Sequence, residues 1–264
     1  MITAVSNPRV KQVVLWQTKA KERKEAGVFL VEGFKMFEEA PMEWIREVYI
    51  STDALAKVTE NREYISIKKK LDQVVFEEVS AEVFRKMSDT QTPQGILCVV
   101  KRPSYGIEDL LASENPMLVV LENLQDPGNV GTIVRTGEGA GVTGVILSEG
   151  SVDIYNPKTI RATMGSIYRV PVVYAGNLVE VTELLRKRNI KSYAAHLAGE
   201  KYYNECDLRT GCAFLIGNEG NGLTEELAAA ADEYLKIPME GQVESLNAAI
   251  ATSLLMYEAH RQRG

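Results

Sequence analysis

Three polar loops marked by glycine or proline hold the residues whose types and spacing could do chemistry. The first spans 123–135, NLQDPGNVGTIVR. Asp126-Pro127-Gly128-Asn129 forces a tight turn, and Gly131 lets the backbone approach a ligand. Arg135 falls one turn into the helix that follows, where its planar cation can grip a phosphate through two hydrogen bonds. A structural role, with Asn129 capping that helix and Arg135 on its surface, explains Asn129 equally well and the glycines less well. The second loop, 214–223 or FLIGNEGNGL, leaves the backbone of Gly217, Gly220 and Gly222 uncovered around Asn218 and Glu219. That suits contact with a planar, uncharged heterocycle, although such a turn can also be purely structural. The third, 237–258 or IPMEGQVESLNAAIATSLLMYE, ends a strand at Pro238, turns at Gly241 and opens a helix that Ser245 is placed to cap. Asn247 falls in that helix's first turn, away from an apolar face of Leu246, Ala249, Ile250, Leu254 and Tyr257 that suits core or subunit contact. Ser245 and Asn247 fit a catalytic or a structural role equally.

Other chemistries find less support. Gly139, Gly141 and Gly144 match GxGxxG, but they end a helix and lead into a strand, the reverse of the dinucleotide-binding context. They read as helix C-capping and turn residues. No GxxxxGK[ST] pattern is present. His196 and His260 match neither metal-ligand spacing nor a nucleophile arrangement, so no role and no metal site is assigned to them. Cys98, Cys206 and Cys212 form no CxxC and no even framework, which points to buried free thiols in a reducing compartment, the cytoplasm. No apolar run is long enough for a membrane span.

The elements that must position these loops alternate regularly. Strands are expected at 117–122, 144–148, 170–174, 191–196, 212–217 and 233–238, and helices at 130–140, 157–167, 178–188, 224–231 and 245–261. Near-continuous apolar strands separated by helices imply an α/β fold with a parallel sheet covered on both faces. Such a sheet binds ligands beyond the carboxyl ends of its strands, where the first loop sits. Ahead of it, a helix over 7–26, strands at 28–32, 47–51, 74–79 and 95–100, and helices at 34–40, 53–57 and 81–89 form a smaller α/β unit. The expected division is 1–104, a linker over 105–116, and 117–264. The net charge is −6, yet residues 1–24 carry Arg9, Lys11, Lys19, Lys21, Arg23 and Lys24 against Glu22 alone. That stretch is either a phosphate-binding patch or the solvated face of a helix.

In order, DPGNVGTIVRT, FLIGNEGNGL and IPMEGQVESLNAAIA closely resemble the three motifs of the SpoU/TrmH family of RNA ribose 2′-O-methyltransferases, within the SPOUT superfamily. The resemblance covers the chain from about Met117 onward. The first module more weakly resembles the small ribosomal-protein-like α/β domain that many members use to recognise RNA. The resemblance implies a trefoil-knotted domain, S-adenosylmethionine bound in the knot, a homodimer, and methyl transfer to structured RNA, with ribosomal RNA ahead of transfer RNA. A non-catalytic ribosome-assembly factor is the competing reading. Carried over by motif, Asn129, Arg135, Glu219, Ser245 and Asn247 are the catalytic candidates, and Leu215, Gly217, Asn218, Gly220, Ile237, Met239 and Leu246 surround the cofactor. Arg135 would bind the phosphate and polarise the hydroxyl, held by Asn129. Gly137, Gly139 and Ala248-Ala249 depart from the usual pattern, with looser helix packing as the expectation.

Overall fold

The computed structural model describes residues 1–197, 199–240, 242 and 245–264. The expected turn at Gly241 lies outside them. Two units form, one of Met1–Ser104 with Tyr155–Tyr168, the other of Tyr105–Ile154 with Arg169–Gly264.

In the first unit, Asn7 caps α1 (Pro8–Thr18) by accepting from the Arg9 N–H at 2.9 Å. Pro8 suits the first helical position, where a missing N–H costs nothing. The helix expected over 7–26 breaks at Lys19, whose extended backbone (φ −120°) separates α1 from α2 (Ala20–Ala26). The chain continues through β1 (Val28–Glu32), α3 (Phe34–Glu39), β2 (Ile45–Ser51), α4 (Thr52–Glu60), α5 (Ile65–Leu71), β3 (Phe76–Val79), α6 (Ala81–Met87) and β4 (Ile96–Lys101). The unexpected α5, ISIKKKL, buries only Ile67 and Leu71, and its lysines hide so narrow a face from a periodicity reading. The sheet runs β1-β4-β2-β3, with β2 and β3 parallel and the other pairs antiparallel. Val10, Val13 and Trp16 of α1 pack in its core with Phe84 and Met87 of α6.

The second unit begins with α7 (Ile107–Leu110), inside the stretch read as a linker, and Leu110 and Leu111 are buried in its core. A Cβ on Gly144 would lie 2.2 Å from the Leu110 side chain, so that glycine is a packing requirement. There follow β5 (Met117–Leu121), α8 (Pro127–Ala140), β6 (Gly144–Ser148), α9 (Pro157–Thr163), β7 (Val172–Ala175), α10 (Leu178–Lys187), β8 (Lys191–Ala195), β9 (Lys201–Tyr202), β10 (Cys212–Ile216), α11 (Glu225–Ala230), β11 (Glu233–Lys236) and α12 (Ala248–Arg263). Of these, α9 groups with the first unit. The seven strands are all parallel, in the order β7-β6-β5-β10-β8-β11-β9. Chain direction across the sheet reverses between β5 and β10, both wholly buried. The loops leaving their carboxyl ends therefore meet at the switch point where such sheets bind ligands.

One expectation about the helices holds and one is narrowed. Gly141, at φ +82°, caps the C-terminus of α8, as the reading of GxGxxG required. Of the apolar face expected on α12 for core or subunit contact, Ile250, Leu254 and Tyr257 are exposed and Ala249 is buried, and the face turned to the core is Ala248, Ala249, Thr252, Leu255, Met256 and Ala259. Small residues face the core because α12 lies close on α8. A Cβ on Gly137 would stand 3.3 Å from Val142 and 3.6 Å from the Met256 sulfur, and one on Gly139 3.1 Å from the Tyr257 hydroxyl. At Gly137 and Gly139 the absent Cβ leaves room for Val142, Met256 and the Tyr257 hydroxyl to approach. Among the described residues, no helix is long and apolar enough to cross a membrane.

Candidate active site

The site grows from the first turn of α8. Asp126 is its N-cap, its side chain accepting from the Asn129 N–H at 2.8 Å, and Pro127 is the first helical residue. The helix thus starts three residues before the expected position, and the Asn129 side chain is left free for other partners. Its amide nitrogen donates to Glu219 Oε1 at 3.0 Å, and its oxygen accepts from the Asn247 amide at 3.0 Å. Asn247, not Ser245, caps α12, because it is the extended residue immediately before Ala248. The Asn247 oxygen accepts from the Ala249 and Ile250 N–H groups, which leaves only its nitrogen to face Asn129. Each amide orientation is set by its partners. One chain of bonds ties the first loop to two others that lie 90 and 118 residues further along the sequence.

Glu219 is the hub of that chain. Besides Asn129 it accepts from the Gln125 N–H at 3.2 Å and the Asp126 N–H at 3.1 Å. Burial opposes ionisation of this carboxyl, but the Asn129 amide and the two backbone donors outweigh it and hold it below the usual carboxylate range. The loop behind it is closed by Asn218 and Gly222, each N–H donating to the other's carbonyl, at 3.0 and 2.9 Å. A Cβ on Gly217 would stand 2.0 Å from the Gly222 backbone, so only glycine permits this close return.

Beside this loop lies a cavity of about 400 Å³. Gly217, Asn218, Gly220, Ile237, Met239 and Leu246 line it, together with Glu219 and Ser245. Leu215 does not: it is fully buried inside β10, and Ile216, one residue nearer the strand's end, takes its place. Ala195, His196 and Leu235 also line the cavity, at the carboxyl ends of β8 and β11. His196 stacks on Tyr234 with ring centroids 5.3 Å apart. The position of β8 beside β10 was the signal for His196, and the absence of any motif around it hid that signal. Apolar walls, uncovered loop backbone and a few polar groups are what a flat heterocycle with a polar tail requires.

Arg135 stands apart. Because α8 starts early, Arg135 lies in its third turn rather than one turn in, and at about 100° per residue it is turned roughly 120° from Asn129. Asn129 spends its amide on Glu219 and Asn247, not on Arg135. Arg135 is exposed and, among the described residues, has no ion-pair or hydrogen-bond partner. Two further residues that sequence reading passed over brace the first loop. Asn123 adopts φ +54° and accepts through its carbonyl from the Asn218 amide at 2.8 Å, and the Gln125 side chain donates to the Asn123 and Gly150 carbonyls.

The basic stretch divides. Arg23 is only 2% exposed and donates to the Trp16 and Gln17 carbonyls at 2.7 and 3.2 Å, so it closes the end of α1 and is removed from the RNA-facing set. Arg9 pairs with Glu77, and Lys21 with Glu25 at 3.7 Å. Lys11, Lys19 and Lys24 are exposed.

Residues 116–257 match the SpoU rRNA Methylase family, and residues 7–98 match the MRM3-like substrate binding domain. The chain is 34% identical to the 23S rRNA (guanosine(2553)-2′-O)-methyltransferase RlmP of Bacillus subtilis, covering 97% of each. The AdoMet-bound rRNA methyltransferase from Sinorhizobium meliloti superposes with a TM-score of 0.83 at 30% identity, over 98% of this chain and 97% of that one. The SpoU methyltransferase AviRb of Streptomyces viridochromogenes, in complex with AdoMet, superposes at 0.86 with 26% identity, over 97% and 98%.

Proposed function

The chain belongs to the SpoU rRNA methylase family, and on that premise we propose that it transfers a methyl group from S-adenosylmethionine to a ribose 2′-hydroxyl of ribosomal RNA. The observation that carries the reading is the bond chain Asn247–Asn129–Glu219, which joins all three motif loops at the edge of the cavity. The cavity fits the cofactor: Ile216, Ile237, Met239 and Leu246 offer apolar walls, and the bare glycine loop offers backbone donors and acceptors. When bound there, S-adenosylmethionine supplies the sulfonium methyl. Arg135 is free to hold an RNA phosphate and to polarise the attacking hydroxyl. The bonded amides fix the first turn of α8 and the start of α12 relative to the cavity, and orientation of this kind is worth about 7–11 kcal/mol in favourable cases. Ser245, on the cavity wall, is placed to orient the ribose.

The remaining features belong to the same proposal. The module over 1–104 recognises RNA through the exposed Arg9, Lys11, Lys19, Lys21 and Lys24, the last four of them carrying no partner among the described residues or only a loose one, while the buried Arg23 maintains its structure. The C-terminal part threads a trefoil knot, a reading supported by family membership. The protein is a homodimer, for which the exposed stripe Ile250, Leu254 and Tyr257 on α12 is a suitable contact face. It works in the cytoplasm, in keeping with three buried free cysteines. Ribosomal RNA is preferred to transfer RNA because RlmP acts on 23S rRNA. The test is transfer of label from methyl-labelled S-adenosylmethionine to ribosomal and transfer RNA presented together. Label in ribosomal RNA is expected; label confined to transfer RNA would overturn the substrate assignment.

A further inference from the structure

Glu122 has no part in the roles above, although it carries a charge and is only 9% exposed. It follows β5 directly, and its backbone N–H donates to the Ile216 carbonyl at the end of β10, at 2.9 Å. Its carboxylate reaches the far end of the glycine loop. There Oε2 accepts from the Thr224 N–H at 2.7 Å and Oε1 from the Thr224 hydroxyl at 2.8 Å. The Thr224 hydroxyl oxygen in turn accepts from the Leu227 N–H at 3.3 Å and caps α11. One residue therefore fastens both ends of the loop over 217–223, the entry through its backbone and the exit through its side chain. Bonds within the loop, such as those from Gly220 and Asn221 to the Asn218 side chain, fix its shape and not its place on the sheet. Burying a carboxylate is costly unless its oxygens are satisfied, and here Thr224 satisfies both.

We propose that Glu122 is a positioning residue of the cofactor site, which sets through Thr224 where the glycine loop stands against the cavity. This rests on the methyl-transfer reading above. Glu122 touches neither substrate nor cofactor and acts on affinity for S-adenosylmethionine, not on the transfer step. Glu122→Gln keeps the volume but turns an amide NH₂ toward one of the two Thr224 donors, and Thr224→Val removes the hydroxyl. Calorimetric titration with S-adenosylmethionine should show affinity about tenfold weaker in each variant, with little further loss in the double variant because both remove the same contact. Thr224→Ser, which keeps both donors, should restore most of the affinity. With cofactor saturating, single-turnover methyl transfer by Glu122→Gln should stay within about twofold of wild type. If Glu122 served stability alone, the binding stoichiometry would fall at unchanged Kd. That result overturns the proposal, as does a Glu122→Gln protein that binds as tightly as wild type. A wild-type protein that binds no S-adenosylmethionine overturns the methyl-transfer reading itself, and this role with it.

Discussion

The loops around Glu219 and the basic stretch at the start of the chain both present clustered polar residues, but the two clusters use them differently. Around Glu219 the partners come from distant segments: Asn129 and Asn247 are 118 residues apart and meet where α12 packs on α8, while Asn129 and Glu219, 90 apart, meet because β5 and β10 are neighbours at the switch point. In the basic stretch, Arg23 and Lys21 find partners within seven residues, and Arg9 reaches the neighbouring strand at Glu77. Polar groups spent on long-range bonds at a sheet's carboxyl edge build a site. Charges spent on the carbonyls and carboxylates around a helix brace that helix. The same density of polar residues supports opposite conclusions until each partner is known.

Breaking the first region should have the largest effect. Arg135→Ala, which removes the one exposed motif cation, should lower single-turnover methyl transfer by about 100- to 1,000-fold while S-adenosylmethionine affinity holds. Normal turnover by that variant would remove Arg135 from the chemistry. In the second region, Arg23→Met should cost about 2 kcal/mol of stability in urea denaturation, because two carbonyls at the end of α1 lose their donor, yet leave RNA affinity nearly unchanged. Lys11, Lys19 and Lys24 replaced together by Ala should do the converse, leaving stability unchanged and reducing the salt dependence of RNA binding, as a log–log slope, by about 2 to 3. If Arg23→Met weakened RNA binding more than the triple variant, the division between the two groups would be wrong.

The smallest effect is a pH dependence. Glu219 titrates below its unfolded value, so its stabilisation of the cluster is complete above the ordinary carboxylate pKa and is lost as pH falls through the lowered one. Cofactor affinity should therefore be level from about pH 8 to pH 5 and decline only below about pH 4. Glu219→Gln should remove that acid limb, and an unchanged profile would contradict the role of its carboxylate.

Much of the second unit was legible in the chain. Apolar strands such as MLVVL and CAFLI can only be interior, and the glycines of FLIGNEGNGL mark a loop that no side chain could fill. Tertiary detail was less so. Whether Asp126 or Asn129 caps α8, and whether Ser245 or Asn247 caps α12, depends on backbone angles at single residues, and each choice decides which amide is free for the site. Of the two roles open to the apolar stripe of α12, core or subunit contact, the exposure of Ile250, Leu254 and Tyr257 favours the second, and the face turned to the core is Ala248, Ala249, Thr252, Leu255, Met256 and Ala259. Glu122 and His196 lie outside any motif and become visible only when strand order places them beside the cavity.

The central claim is that this site methylates ribose. Ribosomal RNA labelled by the protein from methyl-labelled S-adenosylmethionine should be digested to nucleosides and the label located chromatographically. The account predicts a single 2′-O-methylnucleoside; label on a base, with the ribose unmodified, would contradict it.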